Sequence, residues 1–203
     1  KTFIDYAHKT FLHFVEGADE AIWMSERDGW NHLYLYDCKT GALRNQITCG
    51  RRVIRGVEKV DDKKREITFR LSGIDSNQDP YQVHFARINF DGSGMIRLTE
   101  GDGSHDLRFS PNRDFTIDRY SRVDQSPVAE LRRCSDGKLV VTLEKADISR
   151  LSGSGWKPPE RFTAKGRDGK TDVYGLIYRP STFDPNRKYP IIEDIYAGPH
   201  GSH

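Results

Sequence analysis

Few residues in this chain have the types and spacing that chemistry requires. Ser152-Gly153-Ser154-Gly155 has the small residues of a nucleophile elbow but not its spacing. An elbow needs glycine two before and two after the serine, on a turn between strand and helix. His105-Asp106, following Gly101-Asp102-Gly103, offers one imidazole and two carboxylates. That is a thin ligand set for a metal, and a turn between structural units accounts for it. Arg119, Arg122 and Asp124 suit either substrate recognition or ion pairs that pin one unit to its neighbour, and the second reading is preferred. Glu193 and Asp194 are adjacent on an extended run, so they point to opposite faces and do not form an acid/base pair. Tyr196 closes the apolar run PIIEDIY and precedes Ala197-Gly198-Pro199. On local sequence alone it caps a strand.

The elements that position these groups are short strands. Residues 1 to about 145 alternate apolar and polar residues between turns, with no convincing helix. One unit runs FLHF, EAIWMS, HLYLYD and ALRNQIT, and a second runs VIRGVEKV, REITFRLS, YQVHFARINF and MIRLTEG. A third runs HDLRFS, RDFTIDRYS, VAELRRC and KLVVTLEKAD. Equivalent fourth strands end at Thr48, Thr99 and Leu143, a spacing of 51 and 44 residues, which is the period of propeller blades. The last hairpin of each unit turns on Gly41, Asp91-Gly92 or Asp136-Gly137, as tight hairpins require. The pattern predicts three four-stranded antiparallel sheets with breaks near residues 50 and 102. A generic antiparallel sandwich is the alternative.

Composition shifts after about residue 146. SRLSGSGWKPP (149–159) reads as a linker. ERFTAKG (160–166) and DVYGLIYRP (172–180) read as a hairpin, and PIIEDIY (190–196) reads as a buried strand. A chain that stops directly after such a strand is expected to be an excised piece of a longer protein.

Bulk properties exclude rather than identify. Charged residues make up 31 % and the net charge is +2, with no basic stripe for nucleic acid. No run approaches the roughly 18 apolar residues of a membrane span. The three cysteines, Cys38, Cys49 and Cys134, are too few and too far apart for a disulfide framework or a zinc site, so free, semi-buried thiols are expected. Trp23, Trp30 and Trp156 are read as core or linker packing.

Three stretches resemble the dipeptidyl peptidase IV branch of the prolyl oligopeptidase family of serine peptidases. They are SERDGWNHLYLYD (25–37), FSPNRDFTIDRYSRVDQSPVAELRR (109–133) and ERFTAKGRDGKTDVYGLIYRPSTFDPNRKYPIIEDIYAGPH (160–200). The resemblance implies a mainly β chain: residues 1–148 as a partial β-propeller of about three blades, 149–159 as a linker, and 160–203 as the first strands of an α/β-hydrolase domain. It implies a serine exopeptidase that removes N-terminal dipeptides with penultimate proline or alanine by Ser-His-Asp acyl transfer. In that family the propeller gates the site and helps bind substrate. Neither the G-x-S-x-G elbow nor a Glu-Glu dipeptide, the family's amine-binding pair, is present in these 203 residues, so this chain alone is expected to be inactive.

Tyr196 matches the tyrosine whose hydroxyl helps form the family's oxyanion hole, and the resemblance replaces the strand-cap reading with that one. No cofactor or metal is implied. Peptides are the expected partners, with no nucleic acid and no membrane contact within this chain. A homo-oligomer is expected for the whole protein, and self-association through open blade edges for the piece. A periplasmic, secreted or cell-surface location follows from the resemblance alone. The competing class is a non-catalytic propeller that binds proteins or peptides.

Overall fold

The computed structural model describes residues 10–195. Three four-stranded antiparallel sheets follow one another along the chain, each with its strands in sequence order. Sheet one contains β1 (Leu12–Phe14), β2 (Glu20–Ser25), β3 (His32–Asp37) and β4 (Leu43–Gln46). Sheet two contains β5 (Val53–Asp61), β6 (Glu66–Ser72), β7 (Val83–Asn89) and β8 (Ile96–Arg97). Sheet three contains β9 (Ser104–Phe109), β10 (Phe115–Arg122), β11 (Gln125–Arg133) and β12 (Leu139–Lys145). The breaks fall between 46 and 53 and between 97 and 104, where the repeat placed them. A one-turn helix, α1 (Ser149–Gly153), sits inside the stretch read as a linker. A two-stranded hairpin of β13 (Glu160–Lys165) and β14 (Asp172–Ile177) follows.

Alternation explains the seam between sheets one and two. Ile22 and Met24 on β2 pair with Leu35 and Leu33 on β3, which places all four on one face. Ile67, Phe69 and Leu71 repeat at every second position of β6. Together with Ile54, Ala86 and Ile88 they form one buried apolar cluster spanning both sheets, and burial of this kind is the main favourable term in folding. Polar clasps close its rim. Buried Glu20 receives Arg65 Nη1 at 2.7 Å, and His13 Nε2 lies 2.8 Å from Asp62 Oδ1.

Two of the three turn glycines in the last hairpins, Gly92 and Gly137, sit against the preceding sheet. Gly92 has φ +85°, and a Cβ there would lie 3.0 Å from the carbonyl oxygen of Ile47. Gly137 has φ +73°, and a Cβ would collide with the carbonyl of Arg97. Gly41 has φ +70° with open space around it. Gly137→Ala therefore incurs both left-handed strain and a backbone clash, while Gly41→Ala incurs strain alone. The expected losses are at least about 2 kcal/mol and about 1 kcal/mol respectively, read as the difference in urea midpoints between the two variants. Equal losses would mean the turn at 137 does not bear on sheet two.

Three expectations need correction here. The run 190–195 forms no strand among the described residues. Ile191 and Ile192 are 93 % exposed and Ile195 is 72 % exposed. A strand is made by its ladder partners, and among the described residues no strand pairs with this segment. The tryptophans are also not all packed: Trp30 is exposed, and Trp156 is exposed beside the hairpin. Of the thiols only Cys134 is buried, while Cys38 and Cys49 are exposed.

Candidate functional site

Tyr196, the one residue assigned a catalytic role from sequence, lies outside the described residues. A cavity of about 580 Å³ at the hairpin is lined by Trp156, Pro159, Glu160, Tyr178, Arg179 and Phe183 among others. Its walls are aromatic and proline rings. Its guanidinium is already held: Arg179 donates to Glu160 at 2.6 Å and 3.0 Å and lies 4.5 Å over the Phe183 ring. The hairpin is tied to the sheets by Arg161–Asp124 at 3.2 Å and by the edge-on contact of Tyr81 with Tyr174. Ser152 lies within α1, and the Ser154 hydroxyl donates to the carbonyl of Leu151 at 2.6 Å. Neither serine stands on a strand-to-helix elbow.

The arginines of β10 do not pin one sheet to the next, contrary to expectation. Arg119 reaches Asp106 at 3.4 Å within sheet three. Arg122 bridges Asp102 and Asp124, and Asp124 carries the link onward to the hairpin through Arg161. The reason is register: Arg119 pairs with Asp106 directly across the β9–β10 ladder, so its nearest partner is on its own sheet.

His105 opens the segment HDLRFS, which the structure makes strand β9, so the turn over 101–103 does not by itself account for it. It lies on β9 with its side chain fully buried, and it holds together a polar cluster that sequence reading missed. Its Nδ1 is 2.8 Å and 3.0 Å from the two oxygens of Asp118. Arg132 lies 3.3 Å from Asp118, donates to Glu130 from Nε and Nη2 at 3.0 Å and 2.6 Å, and reaches the carbonyl of Gly137 at 2.9 Å. The ring of His105 is sandwiched between Tyr120 at 4.7 Å and His84 of sheet two at 4.6 Å. Where the first seam is apolar, this one is built from ions and rings.

A buried aspartate on a histidine is two thirds of a hydrolytic triad, so the third position decides what this pair can do. His105 Nε2 faces the carbonyl of Gly101 at 3.3 Å, not a hydroxyl, and both side chains are closed to solvent. The pair has no nucleophile to activate. No group of three or more metal-ligating side chains occurs among the described residues. The cluster is a joint between sheets.

Electrostatics follow from burial. The Asp118 carboxyl is pushed above the usual range by burial, opposed by His105 and Arg132. His84 is pushed down to about 3, first by burial and then by the charges of His105 and Arg97. Between that value and its ordinary 6.5, the unfolded chain takes up a proton that the folded chain refuses. Stability from His84 is therefore complete above about pH 6.5 and is lost as the pH falls toward 3. The expected loss by pH 4 is on the order of 3 kcal/mol. Urea denaturation across pH should show this slope, and His84→Gln should flatten it. An unchanged slope in the variant would rule His84 out as its source.

Three antiparallel four-stranded sheets in sequence order, joined face to face at a period near that of propeller blades, define this chain as part of a β-propeller protein. Residues 1–127 match the family model of the dipeptidyl peptidase IV (DPP IV) N-terminal region. The chain belongs to the dipeptidyl peptidase IV family. It is 28 % identical over 148 residues to dipeptidyl peptidase 8 of Homo sapiens, covering 70 % of this chain and 16 % of that protein. It is 26 % identical over 196 residues to a probable dipeptidyl peptidase 4 of Arthroderma benhamiae, covering 94 % and 24 %. The crystal structure of Porphyromonas gingivalis dipeptidyl peptidase 4 superposes with a TM-score of 0.66 at 27 % identity, covering 88 % of this chain and 24 % of that one. A putative dipeptidyl aminopeptidase IV from Bacteroides ovatus shares the fold, with a TM-score of 0.69 at 23 % identity. The chain thus spans about a sixth to a quarter of the length of these relatives.

Proposed function

We propose that the whole protein is a serine exopeptidase that removes N-terminal dipeptides, Xaa-Pro or Xaa-Ala, by acyl transfer through a Ser-His-Asp triad located outside this chain. Residues 1–148 are its partial propeller, which gates and helps bind the peptide. Residues 149–159 are the linker, and 160–203 open the α/β-hydrolase domain, with Tyr196 donating to the oxyanion. The observation that carries this reading is colinearity. The propeller match over 1–127 is embedded in an alignment to a named dipeptidyl peptidase that covers 94 % of the chain.

The test compares two proteins on Gly-Pro and Ala-Pro chromogenic substrates. The whole protein is expected to cleave both, and the 203-residue chain neither. A whole protein that binds such peptides without cleaving them would replace this reading with a non-catalytic propeller. The open faces bear on partners as well. Leu12, Phe14 and Leu43 on sheet one, and Ile117 and Val141 on sheet three, are exposed. Uncovered sheet faces and edges invite pairing with another chain. The 203-residue chain is expected to gain mass with concentration in sedimentation, and the whole protein to be a homo-oligomer. A concentration-independent monomer in both would overturn this.

A further inference from the structure

The seam between sheets two and three carries a proton count that its geometry imposes. His105 Nε2 faces the carbonyl oxygen of Gly101 at 3.3 Å, which only accepts. His105 Nδ1 faces the Asp118 carboxylate at 2.8 Å, which also only accepts when ionised. A neutral imidazole has a single N–H. It satisfies one of these acceptors and turns a lone pair toward the other, at a cost that burial makes severe. Satisfying both sides takes one more proton, carried by the ring or by the carboxyl.

Charge balance points the same way. Facing His105 are Asp118 and Tyr120 from β10, Glu130 and Arg132 from β11, and His84 from β7. Glu100 lies in the 98–103 connection and bonds Arg132 at 3.0 Å. Asp102, in the same connection, is held by Arg122. Asp118, Glu130 and Arg132 are all nearly closed to solvent, so two carboxylates share one guanidinium. Buried charges persist when paired, and a second positive charge completes the set. His84 does not supply it. Its Nδ1 receives Arg97 Nη2 at 3.3 Å and the Thr99 hydroxyl at 3.2 Å, and its Nε2 lies 2.9 Å from Gln78 Oε1. That is the pattern of a neutral ring protonated at Nε2. His32 repeats it in sheet one, with Thr48 at 3.0 Å and the carbonyl of Gly50 at 3.0 Å.

We propose that His105 and Asp118 hold an additional shared proton in the folded chain, and that this proton fixes the buried β9–β10 face against which the His84 ring of sheet two packs. Removing it turns a nitrogen lone pair toward an acceptor oxygen, that of Gly101 or that of Asp118, and leaves the cluster one positive charge short.

The test uses the full 203-residue chain labelled with ¹⁵N in histidine and ¹³C in aspartate, observed by NMR at about pH 6.5, with His105→Gln and Asp118→Asn spectra assigning the signals. The expected result is either both His105 nitrogens protonated, or one protonated with Asp118 as the carboxylic acid, while His32 and His84 show single Nε2 protons. A His105 ring with one proton beside an ionised Asp118 overturns the proposal. The NMR arm on the wild type stands even where a variant fails to fold.

Discussion

Tyr196→Phe in the whole protein is expected to lower kcat on an Xaa-Pro substrate by about 10²–10³, with KM nearly unchanged. As the scissile carbonyl becomes tetrahedral its oxygen takes on negative charge. A phenol held at hydrogen-bond distance, alongside a backbone N–H, stabilises that charge more than it stabilises the ground-state carbonyl. Phenylalanine keeps the ring and removes only the donor, so the loss falls on the transition state. The experiment belongs in the whole protein for a structural reason. In this chain residues 190–195 form no strand among the described residues, their isoleucines face solvent, and Tyr196 lies outside the described residues. Circular dichroism of the variant checks that folding is intact. A kcat within a factor of about two of wild type would return Tyr196 to the role of a strand cap and would refute this part of the proposed mechanism, leaving the propeller assignment untouched.

Arg132→Met is expected to destabilise the folded chain by about 3–5 kcal/mol. The guanidinium is 3 % exposed and is the shared partner of Asp118 and Glu130. Methionine fills much of the same volume, so the loss reads on charge rather than on a cavity. Two buried carboxylates would then be left with the His105 side of the cluster as their only positive partner. Arg133, one residue on, is the control. It points to the opposite face, is half exposed and pairs with Asp136 at 2.6 Å, so Arg133→Met should cost less than about 1 kcal/mol. Denaturation midpoints of the two variants separate the cases, and similar values would mean that Arg132 is not holding the seam. In Arg132→Met/Glu130→Gln, removing one unpaired charge should recover part of the loss.

The twelve strands of the three sheets were legible because everything that makes them is local. Alternation of apolar and polar residues marks a half-buried strand. Asp-Gly and Lys-Thr-Gly turns mark the hairpins, and β2 and β3 coincide with the segments EAIWMS and HLYLYD. The family was legible from colinear motifs. The polar seam was not. In β10 and β11 the sequence alternates Thr116, Ile117, Asp118 and Glu130, Leu131, Arg132, and alternation alone assigns the apolar set to the inside. The structure buries Thr116, Asp118, Glu130 and Arg132 and leaves Ile117 exposed.

Chain-local physics thus determined where strands begin and end, how each sheet is ordered and which residues turn the hairpins, since those depend on neighbours a few positions away. Tertiary structure decided which face of sheet three is covered and what holds it there. A buried ion depends on partners brought from elsewhere: Arg132 and Glu130 from β11, His105 from β9, and the ring of His84 from the sheet before. The same principle decided the run at 190–195. Its apolar residues have the composition of a core strand, but a strand exists only where another backbone accepts its hydrogen bonds.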